Sequence, residues 1–155
     1  MSRRISTQKR FPEKDYKYDN LLVSILVNKI LKSGKKRLAR RIVYKAFELV
    51  EFRTGQNPMY IFEKALRNIS PSVQVKAKRV GGATHQVPVL LSKYSATQLA
   101  IKWLVCFSRK RTGKGIILKL ASEIIDAAKG LGGSVKKREE THKIAESNKA
   151  YTQIR

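Results

Sequence analysis

The chain has 155 residues, and its 34 lysines and arginines against 11 aspartates and glutamates give a formal net charge of +23 at pH 7. This length favours one compact domain, and the hydrophobic content of 42% is sufficient for a core, which excludes a disordered chain. A single cysteine excludes a disulfide-rich secreted module, and no apolar run approaches the ~20 residues of a membrane span, so we expect a soluble protein.

Positive charge is concentrated in two long stretches of the chain. Eight basic residues and no acid lie between Asp19 and Glu48, and twelve basic residues and no acid lie between Glu63 and Glu123. These stretches cannot be neutralised locally, so the folded chain should bind a dense polyanion. Nucleic acid is the polyanion that this pattern favours, although a basic surface that only aids solubility is the alternative.

The first predicted helix begins near residue 20. Its apolar residues recur every three or four positions from Leu22 to Ile30, which is the spacing of one helical face. Asp19 or Asn20 can cap the first turn, because both side chains accept hydrogen bonds from free backbone N–H groups. Gly34 is expected to end this helix.

Two further helices complete the first half of the chain. The helical pattern resumes at Lys35 and continues to Thr54, after which Gly55 is expected to close the second helix. Asn57 and Pro58 favour the start of a third helix, because asparagine caps well and proline suits the first turn. This third helix must stop before the proline at position 71.

The hydrophobic period changes from helical to alternating within residues 72–91. The alternating segments lie on either side of Gly81-Gly82, and glycine adopts the positive φ values of a tight hairpin turn, so we predict a projecting β-hairpin. A turn centred on these glycines fixes the register of the strands. The predicted pairs are Val73 with Leu90, Val75 with Pro88, Lys76 with Val87, and Lys78 with His85.

The second half of the chain predicts three more helices. Ser95 is expected to cap the fourth, and a basic loop over 109–115 separates it from the fifth. The fifth helix is expected to end at Gly130, and Ser134 is expected to start a last helix over 135–150. Within the fourth helix, Trp103 and Cys106 are expected to be buried.

The fold class predicted from these elements is mainly α. We expect a single domain over 1–155, with a bundle of about six helices and one protruding β-hairpin between the third and fourth. Three segments are distinguished within it: a basic extended arm over 1–18, the hairpin arm over 72–91, and a basic helix and tail over 134–155.

Motifs for catalysis are missing from the sequence. No phosphate-binding P-loop is present, and the glycines at 130–133 follow a predicted helix instead of a strand, so they do not match a dinucleotide fingerprint. His85 and His142 each lack a neighbouring cysteine or second histidine, which favours RNA contact or exposure over metal binding. We therefore expect neither an enzyme nor a cofactor or metal site.

The candidate nucleic-acid-binding residues form basic clusters on several predicted elements. Such scattering suits folded RNA, whose phosphates point in many directions, better than one groove of duplex DNA. An architectural DNA-binding protein with a basic β-arm is the alternative function, and an RNA-modifying enzyme is a third. The clusters are Arg3, Arg4, Lys9 and Arg10 in the arm; Lys35, Lys36 and Arg37 at the helix joint; Lys76, Lys78, Arg79 and His85 on the hairpin; Arg109, Lys110, Arg111 and Lys114 in the loop; and Lys136, Lys137 and Arg138 in the last helix.

Five segments carry a family resemblance in addition. They are Met1-Ser2-Arg3-Arg4, Gly34-Lys35-Lys36, VKAKRVGGATHQVPV at 75–89, Arg109-Lys110-Arg111, and VKKREETHKIAESNKA at 135–150. In order and spacing they resemble the S-seven family of small-subunit ribosomal proteins, and the resemblance spans nearly the whole chain.

This resemblance implies a function. Members bind the 3′ major domain of the small-subunit ribosomal RNA, nucleate assembly of the head, and lie near the exit-site tRNA and the mRNA exit channel beside the S-eleven family protein. In the last helix it adds four candidate RNA-binding residues, which are His142, Lys143, Asn148 and Lys149. Thr84-His85-Gln86 and the segment 126–130 resemble plastid members, so we expect the plastid stroma, with the bacterial cytoplasm as the alternative.

Overall fold

The computed structural model describes residues 12–80 and 82–150, and the expectations that concern residues 1–11, Gly81 and 151–155 lie outside this range. Within the described residues, six α-helices surround one core, and a two-stranded antiparallel hairpin separates the third helix from the fourth. The predicted fold class is confirmed. The elements are α1 (Leu21–Ile30), α2 (Lys36–Thr54), α3 (Pro58–Ile69), β1 (Val73–Val80), β2 (Ala83–Leu90), α4 (Lys93–Lys110), α5 (Ile116–Ala128) and α6 (Gly133–Ser147).

The start of α1 follows the prediction, but its end does not. The Asn20 side chain accepts a hydrogen bond from Leu22 N at 2.8 Å, which makes Asn20 the cap. The helix ends at Ile30, earlier than the predicted stop at Gly34. Both Ser33 and Gly34 adopt left-handed backbone conformations, so the chain turns over several residues before α2 begins.

The hairpin register matches the prediction at every pair. Val73 lies opposite Leu90, Val75 opposite Pro88, and Lys78 opposite His85. Gly82 has φ +89, a conformation that favours glycine, and this turn places the strands in register. Both strands contact α6, and the half of the hairpin nearest its base also lies beside α4, so the arm is attached to the helical body through that half.

Two helix starts in the second half differ from the prediction. Ser92 caps α4 by accepting a hydrogen bond from Ser95 N, so the predicted cap at Ser95 is wrong and the helix begins one turn earlier. α6 begins at Gly133 and ends at Ser147, whereas Ser134 and Ala150 were the expected limits. The α4 difference arises because Ser92 can supply the same cap as Ser95, whereas α6 starts after Gly132 with no side-chain cap.

The core is built from all of the first five helices. Phe47 of α2 and Phe62 of α3 are fully buried, with ring centroids 5.3 Å apart. Leu26 of α1, Leu104 of α4 and Ile124 of α5 are also without solvent exposure and belong to the same cluster. This closed core leaves the polar faces of the helices exposed, together with much of the hairpin, in which Val87 is buried.

Two side chains of α4 correct the sequence-based expectations. Cys106 is exposed, because the buried face of α4 passes through Leu104, Val105 and Ser108 and residue 106 points away from it. Trp103 is only half-buried: it packs against the core and also lines a groove between α4, α6 and the hairpin.

The segment before α1 packs along α2. Asp15 is 3% exposed, and the Tyr44 hydroxyl donates to its carboxylate at 2.9 and 3.0 Å. The Tyr18 ring meets the Phe47 ring edge-on, with centroids 5.3 Å apart. A buried carboxylate needs such partners, so this pair fixes the segment on the helix.

α5 and α6 are joined by a tight connection that places glycine against an aromatic ring. A Cβ atom at Gly133 would lie 2.6 Å from Cδ1 of Phe107, closer than real Cβ contacts allow. Gly132 has φ +97, where other residues are strained. The start of α6 can therefore approach α4 only because these two positions are glycines.

None of the helices within residues 12–80 and 82–150 combines the length and the apolar character needed to cross a lipid bilayer.

Candidate nucleic-acid interface

The helix joint and the hairpin present their predicted cations to solvent. Lys35, Lys36 and Arg37 are all exposed at the start of α2. The three cations of β1, at positions 76, 78 and 79, are exposed as well, while His85 on β2 is half-buried. These residues satisfy the first requirement of a phosphate-binding surface, which is accessible charge.

The predicted basic loop over 109–115 begins inside α4, because Arg109 and Lys110 form the last turn of that helix. Lys110 and Lys114 are exposed, and the ammonium of Lys110 lies 5.4 Å from the centre of the Phe107 ring. Arg109 is exposed too, and its guanidinium donates to Ile30 O at 3.3 Å. This last bond brings the loop next to the end of α1 and therefore beside the helix joint.

Arg111, by contrast, is engaged within the protein. Its Nε donates to Glu123 Oε2 at 2.6 Å, and its second nitrogen pairs with Asp126. Burial alone would lower the pKa of Arg111, but the hydrogen bonds to Asp126 and Glu123 outweigh it and raise the pKa above its ordinary value. We assign this guanidinium to the fold of the loop, although the sequence grouped it with the RNA-binding cations.

Glu123 connects the loop to the last helix. Its side chain is 1% exposed, and its Oε1 accepts hydrogen bonds from Ser134 N at 3.1 Å and from Ser134 Oγ at 2.6 Å. Its other oxygen accepts from Arg111. One buried carboxylate thus holds both the basic loop and the start of α6.

The cations of α6 differ in how freely they reach solvent. Lys136 and Lys143 are exposed, whereas Lys137 and Arg138 are half-buried. Lys137 pairs with Glu140 at 3.1 Å, and Arg138 donates to Asn68 O at 2.5 Å. The latter bond anchors α6 to the end of α3, just before the hairpin.

The remaining predicted residues of α6 lie at its hairpin-facing and C-terminal parts. His142 Nε2 accepts a hydrogen bond from Ser72 N at 3.2 Å, so this histidine orients the start of the hairpin. Asn148 donates to Ile144 O at 2.9 Å and caps the helix end, while Lys149 is exposed. His142 and Asn148 both have structural roles that the sequence did not reveal.

The structure therefore brings the described clusters into two neighbourhoods. The loop lies beside the helix joint through Arg109, and α6 lies beside the hairpin base through His142 and Arg138. Glu123 links the two neighbourhoods. The arm cluster of Arg3, Arg4, Lys9 and Arg10 lies outside the described residues.

Over residues 12–80 and 82–150, no set of three or more histidine, cysteine, aspartate or glutamate side chains is placed to hold a metal ion. In the same range, every buried side-chain nitrogen or oxygen has a hydrogen-bond partner. The interface is thus a surface of cations and hydrogen-bonding groups.

Comparison with known proteins matches this chain to one family. The family model described as ribosomal protein S7p/S5e matches residues 1–149. The small ribosomal subunit protein uS7c of Trieres chinensis is 52% identical over 144 residues, which cover 93% of this chain and 91% of that protein. The small ribosomal subunit protein uS7 of Synechococcus elongatus is 52% identical over 155 residues, which cover all of this chain and 99% of that protein.

The chain belongs to the ribosomal protein S7p/S5e family. The predicted resemblance is therefore confirmed. A third relative, the uS7 protein of Thermosynechococcus vestitus, is 50% identical over the whole chain. Membership agrees with a surface that carries cations on several elements instead of one catalytic pocket.

Sequence reasoning missed the residues that hold the S7p/S5e interface in shape. Glu123 and Asp126 are separated from Arg111 by twelve and fifteen positions, and Asn68 is seventy positions from Arg138. Spacing along one element gives no signal for such pairs. The only available hint was that acids in this region are few, so each one is a candidate partner for a buried cation.

Proposed function

We propose that this S7p/S5e member is a structural component of the small ribosomal subunit, where it binds the 3′ major domain of the ribosomal RNA and nucleates assembly of the head. The observation that carries the proposal is the family match over residues 1–149. The proposal further places the hairpin near the exit-site tRNA and the mRNA exit channel, with the S-eleven family protein as a neighbour.

The geometry supports this role through the distribution of cations. Exposed positive side chains lie on the joint, the hairpin, the loop and α6, and internal hydrogen bonds fix how these elements are arranged. Several elements can therefore contact phosphates of one folded RNA at the same time. Contacts to many phosphates also make such binding strongly dependent on salt.

The relatives support two compartments. Both the Trieres chinensis uS7c protein and the Synechococcus elongatus uS7 protein share 52% identity with this chain. We propose the plastid stroma, as the residues at 84–86 and 126–130 indicate, and the bacterial cytoplasm is the alternative that the cyanobacterial relatives support.

The test is incorporation into small subunits. Subunits are reconstituted from ribosomal RNA and proteins with this chain added or omitted, and its retention is measured by sedimentation after a high-salt wash. We expect stable retention, and we expect omission to leave the head incompletely assembled. Absence of the chain from the washed subunits would contradict the proposal.

A matched pair of variants tests the surface itself. Replacing the joint cations Lys35, Lys36 and Arg37 by glutamine should weaken retention. A control variant loses the same charge at three exposed lysines outside the predicted clusters, which are Lys45, Lys64 and Lys129. Equal retention of the two variants would show that net charge alone, and not this cluster, determines binding.

A further inference from the structure

The half-buried Trp103 lines a groove that no role described above uses. The groove has a volume of about 370 Å³ and lies where the hairpin crosses α4 and α6. It is large enough for one planar aromatic ring with space at its edges. Its lining residues are Gln74, Val75, Ala77, Gln86, Leu99, Trp103, Thr141 and Ile144.

The lining combines an apolar surface with hydrogen-bonding groups. Trp103, Leu99 and Ile144 supply the apolar part. Gln86 lies opposite Ala77 and shares its face of the hairpin, and its side-chain amide has no hydrogen-bond partner among the described residues, so it can donate to and accept from a ligand. An aromatic ring beside a free amide is the combination that binds an unstacked nucleobase, by stacking and by contact with its polar edge.

The charge around the groove favours the same ligand. No acid lines it, and each of the two helices carries an exposed lysine next to a lining residue. Lys102 adjoins Trp103 on α4, and Lys143 adjoins Ile144 on α6, whereas Lys76 lies on the opposite face of β1 from Val75 and Ala77. Phosphates on either side of a base in the groove could therefore reach a cation of each helix, whereas an uncharged apolar peptide would gain nothing from them.

We propose that the groove beside Trp103 binds an unpaired nucleobase of the RNA, with Trp103 as the stacking surface and Gln86 as the group that contacts the base edge. This inference rests on the proposed function, because it assumes that the bound polyanion is RNA. It adds a site that reads a base to a surface otherwise suited to phosphates.

The chain offers a specific probe, because Trp103 is its only tryptophan. Tryptophan fluorescence of the full chain is measured during titration with a single-stranded RNA of about ten nucleotides. The same titration uses an abasic oligonucleotide of equal length and charge, and anisotropy of a labelled end reports binding in both cases. We expect both to bind, and only the RNA with bases to quench the fluorescence.

Variants separate stacking from folding. Trp103→Phe should retain most of the affinity, whereas Trp103→Leu should lose about 5- to 150-fold, the range expected for one stacked base. Gln86→Leu should change the preference among the four bases while leaving the melting temperature unchanged, because its side chain is exposed. Phe52→Leu is the control, since this aromatic is 87% exposed on α2 and does not line the groove.

The outcomes distinguish this proposal from the proposed function. RNA binding without any fluorescence change, or equal quenching by the abasic oligonucleotide, would overturn the base site and leave the ribosomal role intact. Quenching only by a neighbouring ribosomal protein would also overturn it and would assign the groove to a protein partner. Failure to bind ribosomal RNA at all would contradict both proposals.

Discussion

Glu123 is a buried carboxylate in a protein whose surface is strongly positive. It is 1% exposed, yet both of its oxygens accept hydrogen bonds, one from Arg111 and the other from Ser134. An isolated charge at this depth would be costly, so the partners make its burial possible. The residue therefore acts as a clamp between the basic loop and α6, and its loss should affect both.

Arg111→Ala should lower the free energy of unfolding by about 3 kcal/mol, because it leaves Glu123 buried without its cationic partner. The quantity to measure is the midpoint of urea unfolding, followed by circular dichroism. Lys114→Ala is the control, since this exposed lysine of the same loop should change stability by less than about 0.5 kcal/mol. Equal stability of the two variants would mean that the Arg111–Glu123 pair contributes nothing to the free energy of unfolding.

The hydroxyl of Tyr44 gives a second prediction, concerning alkaline pH. Burial, and then the hydrogen bond to Asp15, raise the pKa of Tyr44 above its ordinary value of about 10. The folded state thus favours the neutral hydroxyl. Its contribution to the free energy of unfolding is complete below pH about 10 and is lost as the pH rises through the pKa of the folded state. Tyr44→Phe should cost about 1–3 kcal/mol at neutral pH, since Asp15 loses its donor.

Unfolding by urea at several pH values checks this sign. The difference in stability between the original chain and Tyr44→Phe should shrink as the pH rises above about 10. Tyr60→Phe, at a tyrosine that is 62% exposed, should follow the original chain at every pH. A difference that stays constant with pH would contradict the assignment.

At the scale of elements, sequence patterns predicted correctly those features that depend on neighbouring residues in the chain. The hairpin register was correct at every pair because alternation and the glycine turn both fix it. The start of α4 was wrong by one turn, since Ser92 and Ser95 are both acceptable caps and only the fold selects one. Cys106 was predicted to be buried, but its position on the helix, between the buried Val105 and the half-buried Phe107, turns it outward.

The candidate interface shows the same difference between features set by the local sequence and features set by tertiary contacts. The exposed clusters could be identified from charge alone, because exposed lysines need no partner within the fold. The structural roles of Arg111, His142 and Arg138 could not, since their partners lie on other elements. Sequence patterns thus indicated the chemistry of the surface, and tertiary contacts determined which cations remain available to a ligand.

Shortening the hairpin tests whether it is an arm. Replacing residues 77–86 by a short turn should leave the helical circular dichroism signal intact, because no described residue of this segment belongs to the hydrophobic core cluster. The shortened chain should still enter small subunits, while retention of deacylated tRNA at the exit side should decrease. Loss of helical signal would show that the segment belongs to the core, and unchanged tRNA retention would remove its proposed role.

At the scale of the whole molecule, the charge of +23 dominates association. A chain with this excess of cations repels its own copies and attracts polyanions over distances longer than a contact. Its shape determines which polyanion fits, because exposed cations lie on the joint, the loop, the hairpin and α6 and not along one helix. The phosphates of a folded RNA can contact cations on several of these elements at once, whereas those of a straight duplex can contact fewer.

The whole chain should therefore bind a structured fragment of small-subunit ribosomal RNA more tightly than duplex DNA of equal length. Affinity for the RNA should fall steeply and linearly on a plot of log affinity against log salt concentration, because counterions are released from the phosphates. Filter binding at four or more salt concentrations gives both quantities. Equal affinities for the two ligands at matched salt would instead favour an architectural DNA-binding protein.

The attachment of the hairpin at one end also determines how the free protein fluctuates. Its two strands form a two-stranded sheet, and both contact α6, with Ser72 N donating to His142 Nε2 at the base. The two strands can therefore come apart, starting at the tip, without disturbing the helices. This local opening costs less free energy than global unfolding. Amide hydrogens should exchange fastest near Gly82 and progressively more slowly toward Val73, and a bound RNA that holds the tip should abolish this gradient.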